Sequence, residues 1–448
     1  MAVVSDLAEF ISGIVYDEIP GETIDEVKLH IIDTIGAIIA GEESELGRRA
    51  AGLFHAEAPQ EATILIGGKR TDALSAAQIN GGVAHCSEID NIHPGAIVCL
   101  SGMVVPAALA WAEKKSLSGK KLMTAIAAGS EVGIRVGASV RGEDLLSKGW
   151  WPSSVFGPLG VCAAVAKLED LTEGQTRHAL SICSTVCGGL INGGAEGATA
   201  RHFLSGWSVR CGAASAMAAK DGFTGPEDAL EIAQGPFFAR NAAPDFSGLL
   251  VNLGQEYRLS EIVFKSFASA MQSQSAVCGF INICAEQSLG ADQIDQVIVE
   301  LPAKALIVVK GDGVPGNHTT AAAHGKYLIS AAMHDGDILP GQFDERKIFD
   351  PEITAFMKRV TVRENKELEK HTGKWPARIV VTLKNGAVFE KEVCDWMDGF
   401  GRREFVERKF ARIMRSAGKQ DKEKAIVSEV SALDGAENVS ALIQAATV

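Results

Sequence analysis

Residues 24–41, IDEVKLHIIDTIGAIIAG, place Val27, Ile31, Ile35, Ile38 and Ile39 on one stripe at three- and four-residue spacing. That period predicts an amphipathic helix with a buried face, and Gly41 stands where a C-cap would fall. Similar Ala-rich helical patterns recur at 73–86, 103–114, 120–138, 156–167, 174–189 and 207–220, divided by Gly, Pro or Ser. The chain holds 47 glycines against 14 prolines, and such small residues favour close helix packing. The first 260 residues are therefore expected to be nearly all helix.

The texture changes after Lys265. VIVELPAKALIVV (297–309) and ARIVVTLKNGAVFEKEVCD (377–395) are rich in β-branched residues, and Asn385-Gly386 between two alternating runs is a hairpin signal. From EFVERKFARIMRSAG onward, helical spacing returns with Val406, Phe410 and Ile413 apolar. The expected fold is mainly α: a helical segment over 1–262, a smaller α+β domain over 263–400, and a helical tail over 401–448 that rejoins the first segment. At 448 residues the chain exceeds what one core usually organises, so two domains are the default expectation.

A formal charge of -13 argues against a nucleic-acid or anionic-membrane surface, since both need a basic footprint. The start, MAVVSDLAEFISG, lacks a basic n-region followed by an apolar h-region, and no uncharged stretch reaches the ~18 residues of a membrane span. The expected location is the cytoplasm. Nine cysteines in mostly Ala/Gly/Val surroundings suggest buried thiols rather than a disulfide framework. With no second Cys/His pair at metal spacing, no metal site is expected. Nothing resembles GxSxG, a P-loop, GxGxxG at a strand end or HExxH, so serine hydrolysis and nucleotide chemistry drop out.

The densest polar cluster, AHCSEIDNIHPGAIV (84–98), brings together His85, Glu88, Asp90, Asn91 and His93. A carboxylate beside an imidazole can orient it for proton abstraction at carbon. Asp90 and Asn91 would equally suit a helix cap. In KGWWPSSVFGPLG (148–160), Ser153 and Ser154 open a small-residue helix whose start suits a carboxylate, or forms a Trp-anchored cap. TARHFLSGWSVRCG holds Arg201, His202 and Arg210 in a chain short of positive charge. Arginine is the usual bidentate partner of a carboxylate, although surface ion pairs are commoner. Lys265 and Tyr327 are polar groups in apolar helical runs, where each alone would be a snorkelling or core residue.

Taken together and in order, several segments resemble the MmgE/PrpD family, which includes 2-methylcitrate dehydratase, cis-aconitate decarboxylase and iminodisuccinate epimerase. They are IIDTIGAIIAG, NGGVAHCSEIDNIHPGAIVCLSGMVVPAALAWAE, GWWPSSVFGPLGVCAAVAKL, RCGAASAMAAKDGFTGP and the closing VERKF. The resemblance implies a large all-helical domain with an inserted smaller α+β domain, a homodimer, and cofactor-free removal of a proton α to a carboxylate of a small-molecule substrate. By the same resemblance His93 falls on the family's HPG/HPS histidine, Asp90 and Glu88 on its acidic stretch, Lys265 on the lysine of K-x-[YFW]-P, and Tyr327 on a tyrosine of the small domain.

The departures are as informative. Trp151 replaces the histidine of G-[WF]-H-P-[TS], Arg201 the lysine of K-x-L-H-x-G, and Leu204 that motif's histidine; Ala268 stands for the proline after Lys265, and Ala270 for a decarboxylase histidine. Arg201 can hold a carboxylate but hardly serve as a base. The expectation is a dehydratase-type lyase or isomerase. His93 would act as acid/base steered by Asp90, with Lys265 and Tyr327 stabilising developing charge. Arg201, His202, Glu88, Asn91, Trp151, Ser153 and Ser154 would contact the substrate. The alternatives are an epimerase, which exchanges a proton without a leaving group, and a non-catalytic paralogue that binds a metabolite.

Overall fold

The computed structural model describes residues 2–53, 59–191, 197–231, 245–309, 311–371 and 374–448. Its first half is a stack of helices: α1 (Val3–Gly13), α2 (Gly21–Glu42), α3 (Glu45–Ala51), α4 (Ala73–Cys86), α5 (Ser101–Lys114), α6 (Gly119–Val140), α7 (Gly142–Ser147), α8 (Pro152–Leu168), α9 (Glu173–Val186) and α10 (Ala200–Lys220). A short hairpin, β1 (Ala62–Thr63) with β2 (Arg70–Thr71), precedes α4. None of the described helices is long and apolar enough to cross a membrane.

The expected one-sided stripe on α2 understates its burial, because every residue from Val27 to Gly41 is buried. Helices pack around it on all sides, so its polar residues must find partners inside. Gly41 is not the C-cap that its position suggested. The helix runs on to Glu42, and a Cβ on Gly41 would stand 2.4 Å from the Val83 carbonyl oxygen of α4. The same logic governs α6 against α8, where a Cβ on Gly129 would lie 2.5 Å from the Gly160 oxygen and one on Gly160 would lie 2.7 Å from the Gly129 oxygen. Glycine lets these backbones approach to a distance that any side chain would forbid.

The second half carries a four-stranded sheet in the order β4 (Val360–Glu364), β3 (Ile294–Leu301), β5 (Ala377–Leu383), β6 (Val388–Val393). β3 and β4 are parallel, and the other pairs are antiparallel. The Asn385-Gly386 turn joins β5 to β6 with Gly386 at φ 86°, and β5 buries alternate residues against helix α11 (Gln274–Gln287). Within the β-branched run over 297–309 the strand ends at Leu301. Pro302 cannot continue the ladder, and a short helix, Ala303–Leu306, follows. Helix α12 (Gly325–Asp335) packs beside α11.

The tail forms α13 (Arg402–Ser416), α14 (Gln420–Ser431) and α15 (Ser440–Ala446). Phe410 and Ile413 of α13 lie over Gly36 of α2, and the Val448 amide donates to the Leu65 carbonyl at 2.8 Å. Between α13 and α2, Lys409 Nζ contacts Asp33 Oδ1 at 2.6 Å with both side chains buried, and the same ammonium donates to the Ile89 carbonyl at 2.7 Å. Burial pushes Asp33 up and Lys409 down in pKa, each opposed by the charge of the other.

Removing one partner of such a pair leaves an uncompensated buried charge. Lys409→Met is expected to lower stability by about 3–5 kcal/mol, whereas the double variant Asp33→Leu/Lys409→Met should recover most of the loss. Urea unfolding followed by circular dichroism checks both outcomes.

Candidate active site

Helix α4 ends at Cys86, and the chain reverses through Glu88, whose φ of 54° lies in the left-handed region. A non-glycine residue there costs of order 1–3 kcal/mol and persists only where its surroundings impose it. Here Lys265 Nζ donates to the Glu88 carbonyl at 3.1 Å, and the Glu88 carboxylate accepts from both Arg201 Nη2 and, at 2.9 Å, His202 Nε2. Two residues on, Asp90 faces His85 Nδ1 at 2.8 Å and Lys265 Nζ at 3.6 Å. Arg201 Nη1 closes the ring, donating to His85 Nε2 at 2.7 Å. A guanidinium can only donate, so Nε2 of His85 carries the lone pair and Nδ1–H points at Asp90.

All these groups are largely buried, and the charges hold one another ionised. Burial works against Glu88, but Arg201 and the bonded His202 outweigh it and keep this carboxylate well below its usual range. Asp90 is likewise depressed against burial by His85 and Lys265. Burial and the neighbouring Arg201 push His202 down to about 4, and burial pushes His318 down to about 4. Two fixed cations thus face two carboxylates, with neutral imidazoles around them.

His318 was not singled out in the sequence. It opens the short helix His318–Ala321, capped by Asn317, and its ring meets that of His202 edge-on at 5.8 Å. Its Nε2 is buried and has no hydrogen-bond partner among the described residues. Together with Thr199, Arg49, Asn317 and Phe343 it lines a cavity of about 310 Å³ beside the cluster. The Asn-x-x-Thr cap was visible in the sequence, but no local spacing links residue 318 to residues 88 and 202. The Trp151 ring packs against His85, their centroids 5.1 Å apart.

Glu88, Asp90, Trp151, Arg201, His202 and Lys265 of the expected site therefore come together, and the others do not. His93 is turned away from Asp90: its Nδ1 accepts from the Ala96 amide at 3.0 Å, and its Nε2 meets Glu261 at 3.0 Å. It lines a separate cavity of about 610 Å³ with Arg141, Arg258 and Glu261. The imidazole steered by Asp90 is thus His85, because the sharp turn at Glu88 folds Asp90 back onto the end of α4. Asn91 points beneath the loop, donating to Asp33 Oδ2 at 3.0 Å and approaching His30 Nδ1 at 3.2 Å. Ser153 Oγ accepts from the Cys99 amide at 3.1 Å and Ser154 Oγ donates to the Trp151 carbonyl at 2.7 Å, so both hydroxyls secure the start of α8. Tyr327 bonds the Gln342 carbonyl. Its ring lies 6.5 Å from Phe343, which in turn lies 5.0 Å from His318, so Tyr327 stands behind the site and not in it.

Residues 5–246 match the MmgE/PrpD N-terminal domain and residues 267–434 the MmgE/PrpD C-terminal domain. A cis-aconitate decarboxylase-like protein of Aspergillus oryzae is 25% identical over 98% of this chain and 96% of its own length. Human cis-aconitate decarboxylase is 25% identical over 98% of this chain and 94% of its own length. The Aspergillus terreus cis-aconitate decarboxylase is 27% identical over 52% of this chain and 49% of its own. The chain belongs to the MmgE/PrpD family.

The buried imidazoles make stability depend on pH. His30, lowered to about 3 by burial and Arg402, joins His202 and His318 at about 4. In the unfolded chain each titrates near ~6.5, so below that pH the unfolded state binds more protons. Stability is full above about pH 6.5 and falls as pH drops toward 4, by up to about 1.4 kcal/mol per pH unit for each histidine. Urea midpoints measured from pH 7.5 to 4.5 should show this decline, with a shallower slope in His30→Gln.

Proposed function

We propose that this protein is a lyase acting on a small carboxylate substrate, and that it removes a proton α to a carboxylate at the cluster around Arg201. The observation that carries the reading is the buried contact of Arg201 with Nε2 of His85, itself bonded to Asp90. It places a basic nitrogen, an orienting carboxylate and a permanent cation within one hydrogen-bonded group. The relatives named as cis-aconitate decarboxylases support a carboxylate substrate.

In this reading the substrate carboxylate takes up the free donors of the Arg201 fork, drawing the guanidinium off Nε2 of His85. His85 then accepts the α-proton while Asp90 stabilises the imidazolium that forms. Arg201 and Lys265 hold the negative charge that develops on the substrate, inside a site where burial strengthens their effect. A leaving group on the adjacent carbon then departs. Trp151 shuts one wall against water and gives the pocket an apolar side. These steps use side chains of this chain alone. The same reading takes 1–262 and 401–448 as one helical body with 263–400 inserted as an α+β domain, in a homodimer.

An epimerase is the second reading, favoured by one feature. His202, its ring 5.7 Å from that of His85, and His318 beyond it are further neutral imidazoles beside Arg201, and inversion at carbon needs proton exchange on two faces.

Proton NMR in deuterated buffer with cis-aconitate, citrate, 2-methylcitrate and iminodisuccinate separates these outcomes. Loss of the α-proton signal with release of water or carbon dioxide marks the lyase, and exchange without either marks the epimerase. No exchange with any substrate would favour a metabolite-binding protein. His85→Gln is expected to reduce turnover by about 10²–10⁴-fold with the circular dichroism spectrum unchanged, while His93→Gln stays within a few-fold of the wild type. The opposite pattern would return the acid/base role to His93.

A further inference from the structure

Far from the cluster in sequence, three side chains of different chemistry converge beside the last strand. Glu392 lies on β6 and Cys394 just past its end, so their i, i+2 spacing directs both to one face. His371 follows the short 3₁₀ turn Lys366–Lys370. Its Nε2 stands 3.1 Å from Glu392 Oε1 and 3.6 Å from Cys394 Sγ. Around a tetrahedral zinc, with Zn–S near ~2.3 Å and Zn–N or Zn–O near ~2.0–2.2 Å, neighbouring ligand atoms stand about 3.3–3.6 Å apart. Both distances from Nε2 are thus near coordination spacing, and the three ligand atoms all lie within 4.8 Å of one another.

We propose that His371, Glu392 and Cys394 form a binding site for a zinc-class divalent cation, with water in the fourth position. The inference is independent of the reaction proposed above. On binding, the Cys394 S–H proton passes to solvent and the thiolate bonds the ion, while the His371 proton that faces Glu392 shifts from Nε2 to Nδ1 by exchange with solvent, freeing the Nε2 lone pair for the ion. Arg378, opposite Glu392 on β5, is paired with Glu390, so Glu390, Glu392, Asp395 and Asp398 face Lys370, Lys374 and Arg378 and the local charge is slightly negative. His371 and Glu392 are both partly exposed, which leaves a path for entry.

Among the described residues two other groups bring such ligands together, and both are poorer hosts. Glu88, His202 and His318 lie against the Arg201 guanidinium, which bonds Glu88 and stands 3.4 Å from His202 Nε2. His85, Asp90 and Cys99 are buried beside Arg201 and Lys265. A divalent ion in either would press against a permanent cation.

Titration of the reduced, chelator-treated full chain with Co²⁺ tests the proposal. The expected result is a thiolate-to-cobalt charge-transfer band that saturates at one equivalent, disappears in Cys394→Ser and in His371→Gln, and persists in Cys99→Ser. Both positions are partly exposed, and thermal melting will show that the variants remain folded. Absence of the band in the wild type, or its survival in Cys394→Ser, overturns the proposal.

Discussion

Glu88, Asp90, Arg201 and Lys265 place two negative and two positive charges inside a helical body, and none could stay ionised there alone. Isolated burial would shift the pKa of Glu88, Asp90 or Lys265 until it became neutral, and would leave Arg201, which stays charged, with a large desolvation cost. Their mutual contacts remove that penalty only if three distant stretches of chain meet: the turn after α4, the start of α10, and the segment around Lys265. The requirement that these charges be matched therefore fixes how those stretches sit against one another, and a large part of the architecture serves that end.

A second buried pair supports the first from below. Lys409 of the tail holds Asp33 of α2 and the Ile89 carbonyl, while Asn91 donates to the same aspartate. The loop between Glu88 and Asn91 is thus gripped on one side by Lys265 and on the other by Lys409. The strained backbone at Glu88 is held by both, and it is this turn that delivers Asp90 to His85. Tail, first helices and site loop are in this way parts of one device, although they are separated by more than three hundred residues of sequence.

Much of the fold was legible because it is written in local periodicity. The three- and four-residue stripes of the helices, the Asn-Gly hairpin and the apolar face of the tail helix at Val406, Phe410 and Ile413 each depend on neighbours in sequence. The errors came where a longer-range contact overrode the local signal. Gly41 looked like a cap and is a point of close approach to α4. Tyr327 was placed by resemblance in the site, yet its hydroxyl is spent on the Gln342 carbonyl.

The sequence by itself determined the helical character of the first half, the α+β texture after Lys265, and a short roll of polar residues from which the site had to be drawn. Only the tertiary structure decided their pairing. It joined Asp90 to His85 rather than His93, turned Asn91, Ser153 and Ser154 into scaffold, added His318, and brought His371 to Glu392 and Cys394 where spacing argued against a metal site. The physical reason is that periodicity reports which face of an element is buried, whereas hydrogen bonds and ion pairs between elements depend on side-chain directions at the ends of helices and in turns. A single left-handed residue at Glu88 was enough to redirect the most informative segment of the chain.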